Sequence, residues 1–280
     1  MHHPKKSLGQ NFLKSKEALR DIVTAGQIKT DDVILEIGPG KGALTEMLLT
    51  VAGKIMAIEK DAELVSLLQE KFKTEIGSGR LDIKQGDILE FDPTSLGTRP
   101  LPSKGESPLG GSTAKQEGGY KIIANIPYNI TGAIIQKFLT AEYQPELMVL
   151  LLQKEVAQRI VARDKKESIL SIGVKAYGTP KYIGTVKAKY FSPPPKVDSG
   201  ILLVENISRD FFKDIDEKFF FDVMKAGFAH KRKMLIGNLK NVFENRNFEE
   251  LFAQSGIDKK TRAEDITLED WKKLSRVIRE

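Results

Sequence analysis

The sequence predicts an α/β fold, a largely parallel sheet with crossover helices, followed by a small all-helical domain. Three observations predict it. From about Asp32 short apolar runs alternate with amphipathic stretches, the pattern of parallel strands joined by helices. One of the first of these runs passes into a glycine-rich turn, Gly38 to Gly42, that opens a helix. After about Ser208 the strand pattern stops and helical periodicity replaces it. With 280 residues, 40% of them hydrophobic, the chain is long enough to bury one large core and a smaller one.

Strands are expected at Val33–Ile37, Lys54–Glu59, Leu81–Lys84, Lys121–Asn125 and Leu147–Leu152, with helices between most of them. Val197–Asn206 reads as a later strand, antiparallel because Lys181–Lys187 precedes it after a proline-rich link. Residues 93–119 are rich in Pro, Gly, Ser, Thr and Lys and lack apolar periodicity, which predicts a mobile loop within the crossover between the third and fourth of these strands. Helices are expected at Asp214–Gly227, His230–Asn241, Asn247–Gln254 and Thr267–Ile278. The last opens on Thr267-Leu-Glu-Asp270, a capping box in which side chains satisfy the free amides of the first turn. The expected domains are 1–207 and 208–280.

No apolar stretch is long enough to cross a bilayer, and the N-terminus lacks the apolar core of a signal peptide, so a cytoplasmic location is expected. Cysteine is absent, which excludes disulfides and thiolate metal sites; His2, His3 and His230 offer little for a histidine-built one, and no metal is expected. A net charge of +6 suits a polyanionic partner. Nothing in the sequence demands more than a monomer.

The turn Glu36-Ile-Gly38-Pro39-Gly40-Lys41-Gly42-Ala43 lets the backbone approach a ligand closely. Alone it fits a nicotinamide dinucleotide as well as S-adenosylmethionine. Glu59 ends the second strand 21 residues after Gly38, where a carboxylate can accept both hydroxyls of an adenosine ribose. Asp87, ending the third strand, can accept from an adenine amine. The pair favours an adenosyl ligand over a simple turn.

Asn125-Ile126-Pro127-Tyr128 closes the fourth strand. An adenine amine is a poor nucleophile because its lone pair is delocalised into the ring. The Asn125 side-chain oxygen and the Ile126 carbonyl can each accept one amine hydrogen and turn the nitrogen toward tetrahedral geometry. Pro127 stiffens the turn and removes a competing donor, and Tyr128 offers a flat face for an extruded base. A strand-ending turn with a core tyrosine is the alternative reading of the tetrapeptide alone.

Gly9-Gln10-Asn11-Phe12-Leu13, Glu36 to Gly42, Asn125 to Tyr128, Gln153-Lys-Glu-Val-Ala157, Phe191-Ser-Pro-Pro-Pro-Lys-Val-Asp-Ser199 and Lys231-Arg232-Lys233 follow one another in an order that resembles, nearly end to end, the ribosomal RNA adenine N6,N6-dimethyltransferase family, which includes the erythromycin-resistance methyltransferases. The resemblance implies a Rossmann-like class I methyltransferase sheet and S-adenosylmethionine as cofactor. It implies that Asn11 and Leu13 fold over the cofactor, joined by Gly38, Gly40, Glu59, Asp87 and Asn125. Phe191 would stack on the target adenine opposite Tyr128, or else anchor the proline run as a hydrophobic residue. Two departures stand out: Ile126 replaces the usual leucine, and Lys166-Glu-Ser-Ile-Leu-Ser-Ile172 lacks the Tyr-Gly pair that usually precedes its Leu-Ser.

His230-Lys231-Arg232-Lys233 opens an expected helix, and Lys154, Arg159, Arg163, Lys165 and Lys166 crowd another segment; such clusters neutralise phosphates. The expected activity is dimethylation of adjacent adenines in small-subunit ribosomal RNA during ribosome assembly. The rivals are a large-subunit methyltransferase of the erythromycin-resistance type, a non-catalytic assembly factor with the same fold, and a nicotinamide-dependent oxidoreductase suggested by the glycine turn alone. The Lys231–Lys233 region and the Thr267-Leu-Glu-Asp-Trp271 end resemble the small-subunit type more closely.

Overall fold

The apolar runs become strands because residues 33–37, 120–125 and 147–153 are buried almost continuously, as strands covered by helices on both faces must be. The computed structural model describes residues 4–5, 8–96, 119–162, 164–244 and 246–279. The chain divides into two units, Met1–Ala157 with Lys181–Ile207, and Gln158–Pro180 with Ser208–Glu280.

In the first unit the elements run β1 (Phe12–Leu13), α1 (Lys16–Ala25), β2 (Val33–Ile37), α2 (Ala43–Leu48), β3 (Lys54–Glu59), α3 (Ala62–Lys71), α4 (Lys73–Gly77), β4 (Leu81–Gln85), β5 (Tyr120–Asn125), α5 (Thr131–Leu139) and β6 (Leu147–Gln153). After α6 (Lys154–Ile160) and α7 (Ile169–Lys175) come β7 (Thr179–Val186), β8 (Phe191–Ser192) and β9 (Ser199–Glu205). The main sheet has the order β4-β3-β2-β5-β6-β9-β7. Strands β2 to β6 pair in parallel, and β9 lies antiparallel to β6 with Leu202 opposite Leu150, as the sequence predicts for this strand. Since β2 is flanked by β3 on one side and β5 on the other, the winding reverses between β2 and β5, and ligands of such sheets bind where that happens, beyond the carboxyl ends of the strands.

Local chemistry fixes the helices around this crevice. The Ser15 hydroxyl caps α1 by accepting the Ala18 amide at 3.2 Å, and α1 buries Ala18, Leu19 and Ile22. Complete burial of a side chain such as Ile22 contributes roughly 1.5–3 kcal/mol. Asp61 caps α3 through the Glu63 amide at 3.1 Å. A second, two-stranded sheet pairs β1 with β8, Phe12 opposite Ser192 and Leu13 opposite Phe191.

The second unit gathers α7, α8 (Glu217–Gly227), α9 (Leu235–Lys240), α10 (Phe248–Ser255) and α11 (Leu268–Arg279) around Phe220, Leu239, Phe248, Phe252 and Trp271. The capping box at Thr267 is present: the Asp270 amide donates to the Thr267 hydroxyl oxygen at 3.2 Å, and the Thr267 amide donates to the Asp270 carboxylate at 3.1 Å.

Three expectations change. The single boundary at 207/208 gives way to one that assigns residues 158–180 to the second unit, because Ile172 and Ala176 join its core and the Tyr177 hydroxyl donates to Glu217 at 2.6 Å. The helix expected from His230 begins only at Leu235: the Lys233 amide closes a turn on the His230 carbonyl, and the Asn238 side chain donates to the carbonyls of Gly227 and His230. Of the expected loop at 93–119, Pro93–Leu96 is a 3₁₀ turn with both named residues buried, and Gly119 donates to Glu146 at 2.8 Å; residues 97–118 lie outside the described residues.

Candidate active site

A cavity of about 650 Å³ opens at the reversal point between β2 and β5, within the size range of small-molecule sites. Five segments supply most of its wall: Leu8–Lys14 of the N-terminal arm, the turn after β2, Glu59 and Lys60 at the end of β3, Gly86–Leu89 after β4, and Asn125–Ile130 at the end of β5. The resemblance's cofactor set, Asn11, Leu13, Gly38, Gly40, Glu59, Asp87 and Asn125, therefore shares one cavity with Ile126, Pro127 and Tyr128.

The turn after β2 holds Gly38 and Gly40 at φ of +65° and +60°, a region L side chains rarely occupy. At Gly40 a Cβ would come 2.9 Å from the Phe12 ring. At Gly38 it would meet only the Asn125 carbonyl, 4.0 Å away, so the missing side chain leaves a gap between the turn and the end of β5. Glu59 is buried, and its carboxylate accepts the Gly40 amide at 3.1 Å and the Asp61 amide at 2.9 Å. Burial pushes its pKa up, and the amide bonds oppose that shift. Asp87 accepts from the Lys60 ammonium at 2.7 Å and from the Leu89 amide at 2.9 Å, and Lys60 holds its carboxyl below the usual range. A carboxylate has about four lone-pair positions, so both acids keep acceptor capacity toward the cavity.

Asn125 has an oriented amide. Its Nδ2 donates to the Asn11 carbonyl at 3.0 Å, and since that carbonyl can only accept, the Asn125 oxygen is the atom left for a ligand. Ile126 is anchored by its amide on the Leu151 carbonyl at 3.2 Å with its side chain buried. Tyr128, partly buried, is hydrogen-bonded through its hydroxyl to Ser199 Oγ at 2.6 Å.

Phe191 stands elsewhere. It is 3% exposed, belongs to the apolar core and does not form part of the cavity wall, whereas its neighbour Ser192 does. This burial supports the reading of Phe191 as the hydrophobic anchor of the proline run over its reading as a stacking face.

The sequence reading missed four contributors. Lys5 and Gln10 of the arm bind Asp61 at 2.7 and 2.9 Å, tying the arm to the turn that carries Glu59. Ser199 positions Tyr128. Glu36, on the wall and 1% exposed, accepts from the Thr45 hydroxyl at 2.7 Å, and burial pushes its carboxyl up to about 8. Gln10, Glu36 and Ser199 lie inside quoted motifs, so the signal was there without a role attached. In the second unit Lys231, Arg232 and Lys233 are exposed in the turn before α9. Arg163 lies outside the described residues.

The sheet order and the groups at its reversal point define a Rossmann-like class I methyltransferase. The family model for ribosomal RNA adenine dimethylase matches residues 1–280, and the chain belongs to that family. A Dehalococcoides mccartyi protein named ribosomal RNA small subunit methyltransferase A is 38% identical over 96% of this chain and 87% of its own length. The Nostoc protein of the same name is 38% identical over 99% of both. Among solved structures, a dimethyladenosine transferase from Plasmodium falciparum superposes with a TM-score of 0.76 at 26% identity, covering 94% of this chain and 95% of that one. The 23S rRNA methyltransferase ErmE shares the fold at a TM-score of 0.72 and 21% identity, covering 96% of this chain and all of its own.

Proposed function

We propose that this chain transfers methyl groups from S-adenosylmethionine to the exocyclic amines of adjacent adenines in small-subunit ribosomal RNA, twice on each base, acting as a monomer in the cytoplasm during ribosome assembly. The observation that carries the proposal is the common cavity: the Asn125–Tyr128 turn faces the glycine bend, with the Asn125 amide already oriented. The names of the full-length relatives support the small-subunit RNA as substrate.

The wall fits the cofactor. Glu59 would accept from the ribose hydroxyls and Asp87 from the adenine amine, the gap at Gly38 would admit close backbone approach, and Asn11 and Leu13 would close over the cofactor; their presence on one wall supports this reading. When bound, S-adenosylmethionine supplies a methyl group on a positively charged sulfur. The protein's own contribution is positioning. Asn125 Oδ1 and the Ile126 carbonyl accept the two amine hydrogens and draw the nitrogen lone pair out of conjugation with the ring. Pro127 adds no amide proton to compete for either acceptor. The Tyr128 ring, fixed by Ser199, supports the extruded base and offsets part of its unstacking cost. Lys231, Arg232 and Lys233 bind phosphates without reading sequence.

The test is incubation of the protein with labelled S-adenosylmethionine and unmethylated small subunits, followed by mass analysis of the RNA nucleosides. Dimethyladenosine at neighbouring positions is expected. Label confined to large-subunit RNA, or none in either, would overturn the proposal.

A further inference from the structure

We infer that Tyr190, flanked by Lys14 and Lys189, is a stacking platform for an unpaired RNA nucleotide next to the target adenine. The inference rests on the function proposed above and assigns its substrate a second contact in the first unit.

Tyr190 is 40% exposed, and among the described residues its ring joins no aromatic cluster and its hydroxyl has no hydrogen-bond partner. The fold gives it no internal task. Its backbone is nevertheless held firmly: the Lys14 amide donates to the Tyr190 carbonyl at 2.8 Å, continuing the ladder in which Leu13 faces Phe191 and Phe12 faces Ser192. Lys14 and Ser192 both belong to the cavity wall. The Tyr190 backbone is thus paired with one wall residue and stands two residues along the chain from another, about 7 Å along extended backbone. A nucleotide adjoining the extruded base reaches that far.

The surrounding charge selects the partner. Lys189 Nζ sits 5.3 Å from the Tyr190 ring centroid, and neither Lys189 nor Lys14 has a carboxylate partner among the described residues. The nearby acid, Asp198, is engaged by the Lys187 ammonium and the Ala188 amide, each at 3.0 Å. An exposed aromatic ring with Lys189 beside it and Lys14 paired to its backbone suits a base and its phosphate, since every base offers a π-face and lysine binds the phosphate backbone. A protein partner fits less well, because protein interfaces are depleted in lysine.

The test uses the full chain with unmethylated small subunits and, separately, a single-stranded RNA oligonucleotide. Tyr190→Ala should raise KM for the subunits about 5- to 50-fold with kcat within twofold of the parent. Tyr190→Trp should restore KM, and Tyr190→Leu should not. Lys189→Ala should lower the slope of log KM against log salt by about 1. The Tyr190→Trp indole should be quenched by the oligonucleotide, and less so as salt rises. An unchanged KM in Tyr190→Ala, rescue by leucine, or quenching by intact subunits but not by the oligonucleotide would each overturn the platform, the last by pointing to a ribosomal protein instead. If the parent protein methylated no small-subunit RNA, the proposed function would fall, while the oligonucleotide quench would still report on the platform.

Discussion

At the scale of single residues, Asn125 and Glu36 show how the surroundings assign a role to a side chain. The Asn11 carbonyl engages the nitrogen end of the Asn125 amide and leaves the oxygen end for the proposed substrate. Asn125→Ala removes the acceptor but not the phosphate contacts, so turnover should fall at least ~100-fold while RNA affinity, measured by filter binding, stays within a few-fold. Turnover at the parental rate would remove Asn125 from the mechanism. Glu36 makes a prediction about pH. Burial, with a smaller push from the Glu59 carboxylate, raises its pKa from an ordinary 4.5 to about 8, and the Thr45 hydroxyl only partly offsets this. Between those two values the folded chain holds a proton that the unfolded chain has released, so stability falls as pH rises through the window, at up to about 1.4 kcal/mol per unit, and levels off above it. Glu36→Gln keeps an acceptor for Thr45 and cannot titrate. Thermal melts of the parent should lose more between pH 5 and pH 8 than those of the variant, and parallel curves would refute the assignment.

At the scale of elements, packing density decides what can change. A Cβ at Gly227, the last residue of α8, would stand 2.4 Å from the Trp271 ring and 2.6 Å from Leu235. Gly227→Ala should therefore destabilise the second unit by about 1–3 kcal/mol through overpacking, seen as a lower melting temperature. Binding of S-adenosylmethionine, proposed to occupy the cavity of the first unit, should persist; unaltered melting would show that the ring moves aside freely. What could be read from the sequence at this scale follows the length of the signal. Val33–Ile37 and Lys54–Glu59 match the expected strands at both ends because each is an apolar run between polar turns. The pairing of β1 with β8 could not be read, since two-residue strands have no periodicity and their partners lie far apart in the chain. The same distance hid the Ser199 contact of Tyr128, 71 residues away, and the Lys5 contact of Asp61, 56 residues away. The Asn125–Tyr128 turn was legible because all its chemistry lies within four consecutive residues. Residue type alone left Phe191 as either a stacking face or a core anchor; its 3% exposure favours the anchor.

At the scale of the whole molecule, the net charge of +6 acts only through those cations that are not already paired. In the second unit Lys240 and Lys259 share Glu249, Lys272 and Arg276 share Asp214, and Lys166 is paired with Asp265. Lys231, Arg232 and Lys233 are exposed and have no carboxylate partner among the described residues, so each can neutralise a phosphate without first breaking an ion pair. Each phosphate neutralised releases condensed counterions and contributes about 0.7–0.9 to the slope of log affinity against log salt. Replacing all three by alanine should lower that slope by about 2–3, so that parent and variant differ most in dilute salt and converge as salt rises. Turnover at saturating subunits should stay near the parental value, because none of the three belongs to the cavity wall. The measurement is a titration of small-subunit RNA binding at several salt concentrations. An affinity loss that is the same at every salt concentration would mean that the turn before α9 supports the domain's shape and does not touch the RNA backbone.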